Sequence, residues 1–274
     1  MDRAFSVQKL DRAAQRRHRF YGQLFVLMLA QMALGALPWR LHRFGVIGTG
    51  LMMLLLVVEL GRPIPGLPSN GVHEGRLYRL FGLAGLTALS IWLLALNQAG
   101  LHGLLVLLVL VSFVCWSLLR LLRLLAQEQV VSRSVLVGAL AGYLMLCISG
   151  GLFLSVLETL QPGSFVDLVS TQQAGGVTGS HHPVSLGQQE SRQVWEMDFT
   201  RINYFAFVST TTVGYGDIVP VRRLAQLASV SLSIIGPVYI AMVMGLLISR
   251  YTVQAQVEEA LEEAKEAEEA KEAE

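Results

Sequence analysis

Six apolar runs, each close to the length of a bilayer crossing, leave this chain few ways to fold. They are Phe20–Leu37, Phe44–Leu60, Leu77–Leu96, Leu101–Leu122, Val135–Leu157 and Leu224–Ser249. Spanning the hydrocarbon takes about 20 residues of helix, so the second run is short and leans on its flanks. With 53% hydrophobic and 15% charged residues over 274 positions, the apolar stretches exceed what one aqueous core buries. An ordinary soluble domain is excluded. The fold class expected is an all-α integral membrane protein of six transmembrane helices, with the lipid bilayer as its solvent.

Charge sets the expected orientation. The first 19 residues form a basic amphipathic arm (Arg3, Lys9, Arg12, Arg16, Arg17, Arg19) without the apolar core of a cleavable signal sequence, so the amino terminus is expected to stay inside. Six spans then place both termini in the cytoplasm, with 15 of the 21 Lys and Arg inside and 6 outside. That excess agrees with the positive-inside rule and with a multi-pass protein of the cell (plasma) membrane. Cys115 and Cys147 lie within spans and have no second ligand nearby, so both are expected to be buried, reduced thiols. His181-His182 sits in a Gly/Ser/Gln-rich loop and reads as solvated. No cofactor and no nucleic-acid partner are expected.

Near the carboxyl end stands Thr212-Val213-Gly214-Tyr215-Gly216-Asp217. Successive carbonyls point to one side of a strand only when alternate residues take positive φ, and glycine does so without steric cost. Gly214 and Gly216 alternate in this way, which turns Val213 and Tyr215 to the other side. Ser209-Thr210-Thr211 precedes the hexapeptide, Ile218-Val219-Pro220 follows it, and apolar helices flank both. Together these residues resemble the pore module of six-transmembrane tetrameric potassium channels. The resemblance covers Phe199 to Arg250, about a fifth of the chain.

This resemblance implies a pore helix over Asp198–Thr211, a selectivity filter, a short outer turn at Ile218-Val219-Pro220 and a long inner helix. The carbonyls of Thr212, Val213, Gly214 and Tyr215, with the Thr212 hydroxyl, would replace the water shell of K⁺, and Gly216 completes the filter. Potassium is then the permeant ion, and one filter per chain implies a homotetramer. Asp217 belongs at the outer mouth. The carboxyl end of the pore helix would face the central cavity with its negative dipole end, and Asp198 or Thr200 would cap its start. Gly236, nineteen residues after Asp217, matches the family's hinge glycine, and Pro237 removes a helical hydrogen bond beside it. Two departures stand out. Tyr204 and Phe205 occupy positions often filled by paired tryptophans, and Phe205 lacks a donor for Asp217. Val208 stands where some channels carry a glutamate.

The chain divides into a cytoplasmic arm (1–19), a four-helix, voltage-sensor-like peripheral domain (20–126), a linker (127–134) along the inner membrane surface, a pore domain (135–250) and an acidic cytoplasmic helix (251–274). Within the pore domain an outer turret, 161–197, contains Pro162, Gly163 and further glycines expected to break regular structure. The tail from Val257 carries 9 of the 20 acids, and Val253, Val257, Leu261 and Ala264 make a stripe suited either to a short coiled coil or to a lone solvated helix.

Voltage sensors of this family carry four or more arginines at every third position, because one charge contributes only about 2.3 kcal/mol per 100 mV. This chain has Arg120 and Arg123 there, and Glu59 is the one acid in the first three spans. Arg120, Arg123 and Glu59 are the candidates for residual sensing. The two arginines read more simply as inner-face anchors, and a weakly or non-voltage-gated channel is expected. The alternatives are a voltage-gated channel of reduced gating charge, a non-selective cation channel and a non-conducting regulatory subunit. An enzyme would rest on Ser149-Gly150-Gly151 and His102, which match no catalytic elbow or triad, so none is expected.

Overall fold

A computed structural model describes residues 2–35, 43–62, 70–95, 101–128, 130–168 and 194–272. His102 falls in a helix whose side chain there is not described, and His181-His182 lie outside the described residues. Nearly everything is helix. Five helices come first: α1 Asp2–Gly35, α2 Arg43–Leu60, α3 Asn70–Ala95, α4 Leu101–Ala126 and α5 Arg133–Leu160. Consecutive helices pack on one another in chain order, as short connections favour, and α1 and α4 both pack on α5, which closes the bundle. Its interior is filled by Tyr21 and Met28 of α1, Met53 and Leu56 of α2, Tyr78 of α3, Phe113 and Leu121 of α4 and Met145 of α5, all wholly buried.

The same helices turn Val26, Leu51, Ile91, Leu105 and Leu119 outward. An apolar exterior around an apolar interior suits helices solvated by lipid. Among the described residues three helices have the length and apolarity to cross a membrane: Gly103–Ala126, Arg133–Leu160 and Arg223–Glu266; Ile47–Leu60 is a shorter apolar helix.

Several expected boundaries move. The basic arm and the first apolar run are one helix, because nothing between Asp2 and Tyr21 is Gly or Pro and the change from charge to grease interrupts no backbone bond. Cys147 is buried, but Cys115 points outward and is exposed.

The turret also begins with regular structure. β1, Phe165–Asp167, pairs antiparallel with β2, Ile218–Pro220, in the register Phe165↔Pro220, Val166↔Val219 and Asp167↔Ile218. What reads as an outer turn is therefore a strand. Ladder bonds continue on both sides, from Leu168 N to the Asp217 carbonyl (2.9 Å) and from Val221 N to the Ser164 carbonyl (2.9 Å). Pro162 and Gly163 make the turn that allows this, with Gly163 at φ 77°. The Glu158 carboxylate accepts the N–H groups of Gly163 (2.7 Å), Ser164 (2.9 Å) and Phe165 (3.2 Å), which fixes the turn on the end of α5.

The remaining helices are α6, Val194–Thr210, then α7, Arg223–Tyr239, a π-helical turn at Ile240–Met244, and α8, Gly245–Glu272. Because α6 starts at Val194, Asp198 and Thr200 lie inside it and are not its cap. From Arg223 to Glu272 the helix runs on past Ser249, so no break separates the inner helix from the acidic tail. The π turn follows Pro237 within one turn of helix. With no proline N–H to donate, the ladder shifts, and the Ile240 N–H is shared between the Gly236 and Pro237 carbonyls. A second, smaller core of Leu154, Ile202, Phe205, Ile218 and Leu232 joins α5, α6, β2 and α7.

Candidate functional site

The hexapeptide hangs from the carboxyl end of α6, and that end is gripped from two sides. From α5 the Tyr143 hydroxyl donates to the Thr210 carbonyl (3.2 Å). From α7, Gly236 presses its backbone so closely on that same carbonyl that any Cβ would collide with it. Gly151 of α5 gives α6 a similar approach at Asn203. Glycine at 236 thus has a packing reason in addition to any bending, since no other residue fits there.

After Thr210 the chain folds over the helix end. Thr211 N bonds to the Phe207 carbonyl (2.9 Å) and Thr212 N to that of Ser209 (3.1 Å), while the Val208 carbonyl takes Val213 N (3.0 Å) and Gly214 N (3.4 Å). From there φ is positive at every second residue: Thr212 at 60°, Gly214 at 61° and Gly216 at 77°. The two glycines behave as their identities require. Thr212 is the addition, a β-branched residue held in the left-handed region at a cost of about 1–3 kcal/mol. Three alternating positions, one more than glycine alone marks, can turn a row of carbonyls to one side. Residues 211–216 are exposed in the single chain.

Behind the row, the Tyr204 ring lies parallel to Tyr215, with centroids 6.5 Å apart and 4° between planes. Its hydroxyl faces the Asp217 carboxylate. Sequence reasoning looked for a partner of Asp217 at Phe205, whereas the side chain that faces it is Tyr204, one residue earlier; Phe205 instead packs on Phe165 (5.3 Å) in the smaller core. One turn from Tyr204, Arg201 forms an ion pair with Asp167 and clamps α6 to β1.

Arg120, Arg123 and Glu59 lie at the opposite end and do not form one cluster. Arg120 is 4% exposed. It donates to the carbonyls of Arg62 (3.3 Å) and Glu74 (3.5 Å) and sits over the Tyr78 ring at 4.8 Å, while the Tyr78 hydroxyl meets Ser117 Oγ at 2.7 Å. Arg120 is thus held inside the bundle, whereas Arg123 is exposed near the end of α4. Glu59 is bound elsewhere, to Arg62 (2.7 Å) and Arg16 (3.5 Å).

The linker holds residues that sequence reasoning passed over. Glu128 is buried, ion-paired with Arg17 (3.0 Å), and accepts the Tyr21 hydroxyl (3.0 Å). Three residues on, Val131 N donates to Oε1 of Gln254 on α8 (3.0 Å). The one acid in a linker that follows an apolar helix was the available signal. Ser149, the nucleophile an enzymatic reading requires, is buried and donates to the Leu146 carbonyl (2.8 Å).

Residues 156–253 match the family described as ion channel. The matched stretch begins near the end of α5 and ends in α8, so it contains β1, α6, the hexapeptide, β2 and the kinked helix, about a third of the chain. A comparison with curated proteins finds no match. The family match supports ion-channel function, and with the three long apolar helices it supports a membrane protein. The ion-channel segment and the site built above coincide.

Proposed function

We propose that this chain forms a potassium-selective channel in which four copies surround one axis. The observation that carries the reading is the alternation of positive φ at Thr212, Gly214 and Gly216 in a segment that is exposed in the single chain and lies within the ion-channel match. In the assembly, carbonyls of Thr212, Val213, Gly214 and Tyr215, with the Thr212 hydroxyl, replace the hydration of K⁺, and adjacent sites let ions displace one another. Gly216 and Asp217 complete the outer end. The carboxyl end of α6 directs its negative dipole toward the cavity.

The same reading gives the rest of the molecule its place. Helices α1–α4 form a peripheral domain, residues 127–134 link it to the pore domain of 135–250, and both termini are cytoplasmic in a six-span plasma-membrane protein. Gating bends the inner helix near Gly236 and Pro237, weakly or not at all driven by voltage. Exposed Val253, Val257 and Leu261 on α8 continue the inner-helix contact between copies.

Purified protein in liposomes tests this. The expected result is K⁺ flux with a bi-ionic K⁺/Na⁺ reversal potential near that of a K⁺ electrode. Equal passage of Na⁺, or a monomer in the bilayer, overturns it. Conduction by this protein alone also separates a channel from a subunit that needs a conducting partner.

A further inference from the structure

At the end of the α1–α4 bundle away from the filter, the tips of α2, α3 and α4 converge with no room between them. A Cβ on Gly75 of α3 would come within 3.0 Å of the Gly61 carbonyl at the end of α2, and one on Gly61 would come within 2.5 Å of Arg79 Cγ, which lies across it. Arg120 enters this junction from α4, its Nη2 within 3.9 Å of the position a Gly75 Cβ would take.

The charge there is undercompensated. The Arg120 guanidinium is buried, yet its partners are two carbonyls and a ring face, its Nε has no hydrogen bond, and no carboxylate lies at ion-pair distance among the described residues. A buried cation ordinarily has a matching anion, because desolvation is costly. Its charged neighbours are Arg79 and Arg123, which add to the excess, and Glu74, which opposes it. Glu59 is already taken by Arg62 and Arg16, and residues 63–69 carry no charge. Three guanidinium groups therefore face one carboxylate. Two of them, Arg79 and Arg123, are exposed, Arg79 lying against the end of α2 and Arg123 within one turn of the end of α4. If α1–α4 stand in a bilayer, as the proposed function has them, the level of these helix ends is the headgroup layer. The anion supplied there in quantity is a phosphodiester, whose oxygens suit the planar fork of arginine, and basic pockets between membrane helices take such headgroups.

We propose that the junction of Arg79, Arg120 and Arg123 binds the phosphate of an anionic phospholipid. Arg79 and Arg123 make the contacts at the rim, and Arg120 holds a fixed positive field beneath them. Since α4 runs directly into the linker, whose Glu128 and Val131 reach α1 and α8, an occupied junction braces the connection to the inner helix.

The experiment uses the full chain in phosphatidylcholine vesicles with a rising fraction of phosphatidylglycerol, extracted gently and weighed by native mass spectrometry to count retained lipids. Wild type is expected to keep phosphatidylglycerol in preference to phosphatidylcholine. Arg79→Gln with Arg123→Gln lowers that retention about thirtyfold, Arg79→Lys with Arg123→Lys restores most of it, and Arg250→Gln, an exposed charge on α8, leaves it unchanged. Equal retention in the double Gln variant, equal loss in Arg250→Gln, or no preference between the two lipids overturns the proposal. Displacement by millimolar inorganic phosphate also overturns it, since a free anion would then be the ligand. Lipid counting makes no use of conduction, so failure here leaves the channel reading intact, and absent K⁺ flux with lipid retained leaves this site intact.

Discussion

The Tyr204 ring lies parallel to that of Tyr215 while its hydroxyl faces Asp217, so one residue of α6 backs two residues of the segment proposed as the filter. Tyr204→Phe keeps the stack and deletes the hydroxyl that faces Asp217. At this partly exposed position a hydrogen bond to that carboxylate would contribute about 1 kcal/mol, or roughly a fivefold change in an equilibrium. The expected outcome is a several-fold faster loss of conduction during sustained K⁺ flux, with single-channel current unchanged. Tyr204→Trp, which retains a donor, keeps near-wild-type persistence. Identical persistence in Tyr204→Phe would free this hydroxyl from any role in the stability of the proposed filter.

Gly236 bears on the same segment from the other side. A methyl group there meets the Thr210 carbonyl, the end of the helix from which the hexapeptide hangs. Gly236→Ala is expected to cost about 1–3 kcal/mol through overpacking, read as a fall in the melting temperature of the solubilised protein together with reduced K⁺ flux. Gly245→Ala makes the contrast, because no atom lies near its Cβ position. There the change stabilises or is neutral, as alanine is the better helix former by up to about 1 kcal/mol. If both variants melt alike, Gly236 is a hinge without a packing role.

Legibility in the sequence followed the kind of constraint involved. Gly214 and Gly216 were readable because a backbone requirement is written into residue identity, whereas the left-handed Thr212 is imposed by how the chain folds over the Val208 carbonyl and leaves no trace in its own side chain. The β1–β2 pair escaped for a related reason. Three-residue strands show no periodicity, and the pairing joins the start of the turret to a segment beyond α6 and the hexapeptide. Helical spacing located Arg120 on α4 but could not reveal burial, which depends on Tyr78 one helix away. The boundary read at residue 19 is a change from charged to apolar residues, and α1 passes through it without a change in backbone.

Glu128 connects the linker to α1 by two bonds of unequal strength, and substitution should rank them. Glu128→Gln removes the charge facing Arg17 and weakens the acceptor for Tyr21, at a cost of about 2 kcal/mol; Tyr21→Phe removes only the hydroxyl, at about 1 kcal/mol. Thermal unfolding of the solubilised protein should place the variants in that order. If the linker transmits movement between α1 and the inner helix, open probability changes in the same order. Equal melting temperatures in all three proteins would show that the buried pair contributes nothing net, a known outcome for ion pairs that must be desolvated.

Voltage dependence can be bounded from the position of one side chain. A charge that crosses the whole field contributes about 2.3 kcal/mol per 100 mV, and a tenfold change in open probability takes about 1.4 kcal/mol. Arg120 is held by the carbonyls of Arg62 and Glu74, on segments outside α4, so large travel requires breaking both bonds and leaving the Tyr78 ring. On the proposed topology Arg123, exposed near the end of α4, crosses little of the field. Open probability is therefore expected to change by less than about tenfold per 100 mV in planar bilayers. A steeper curve that flattens in Arg120→Gln would mean that this arginine leaves its carbonyl cage during gating, and α4 would then be a working sensor.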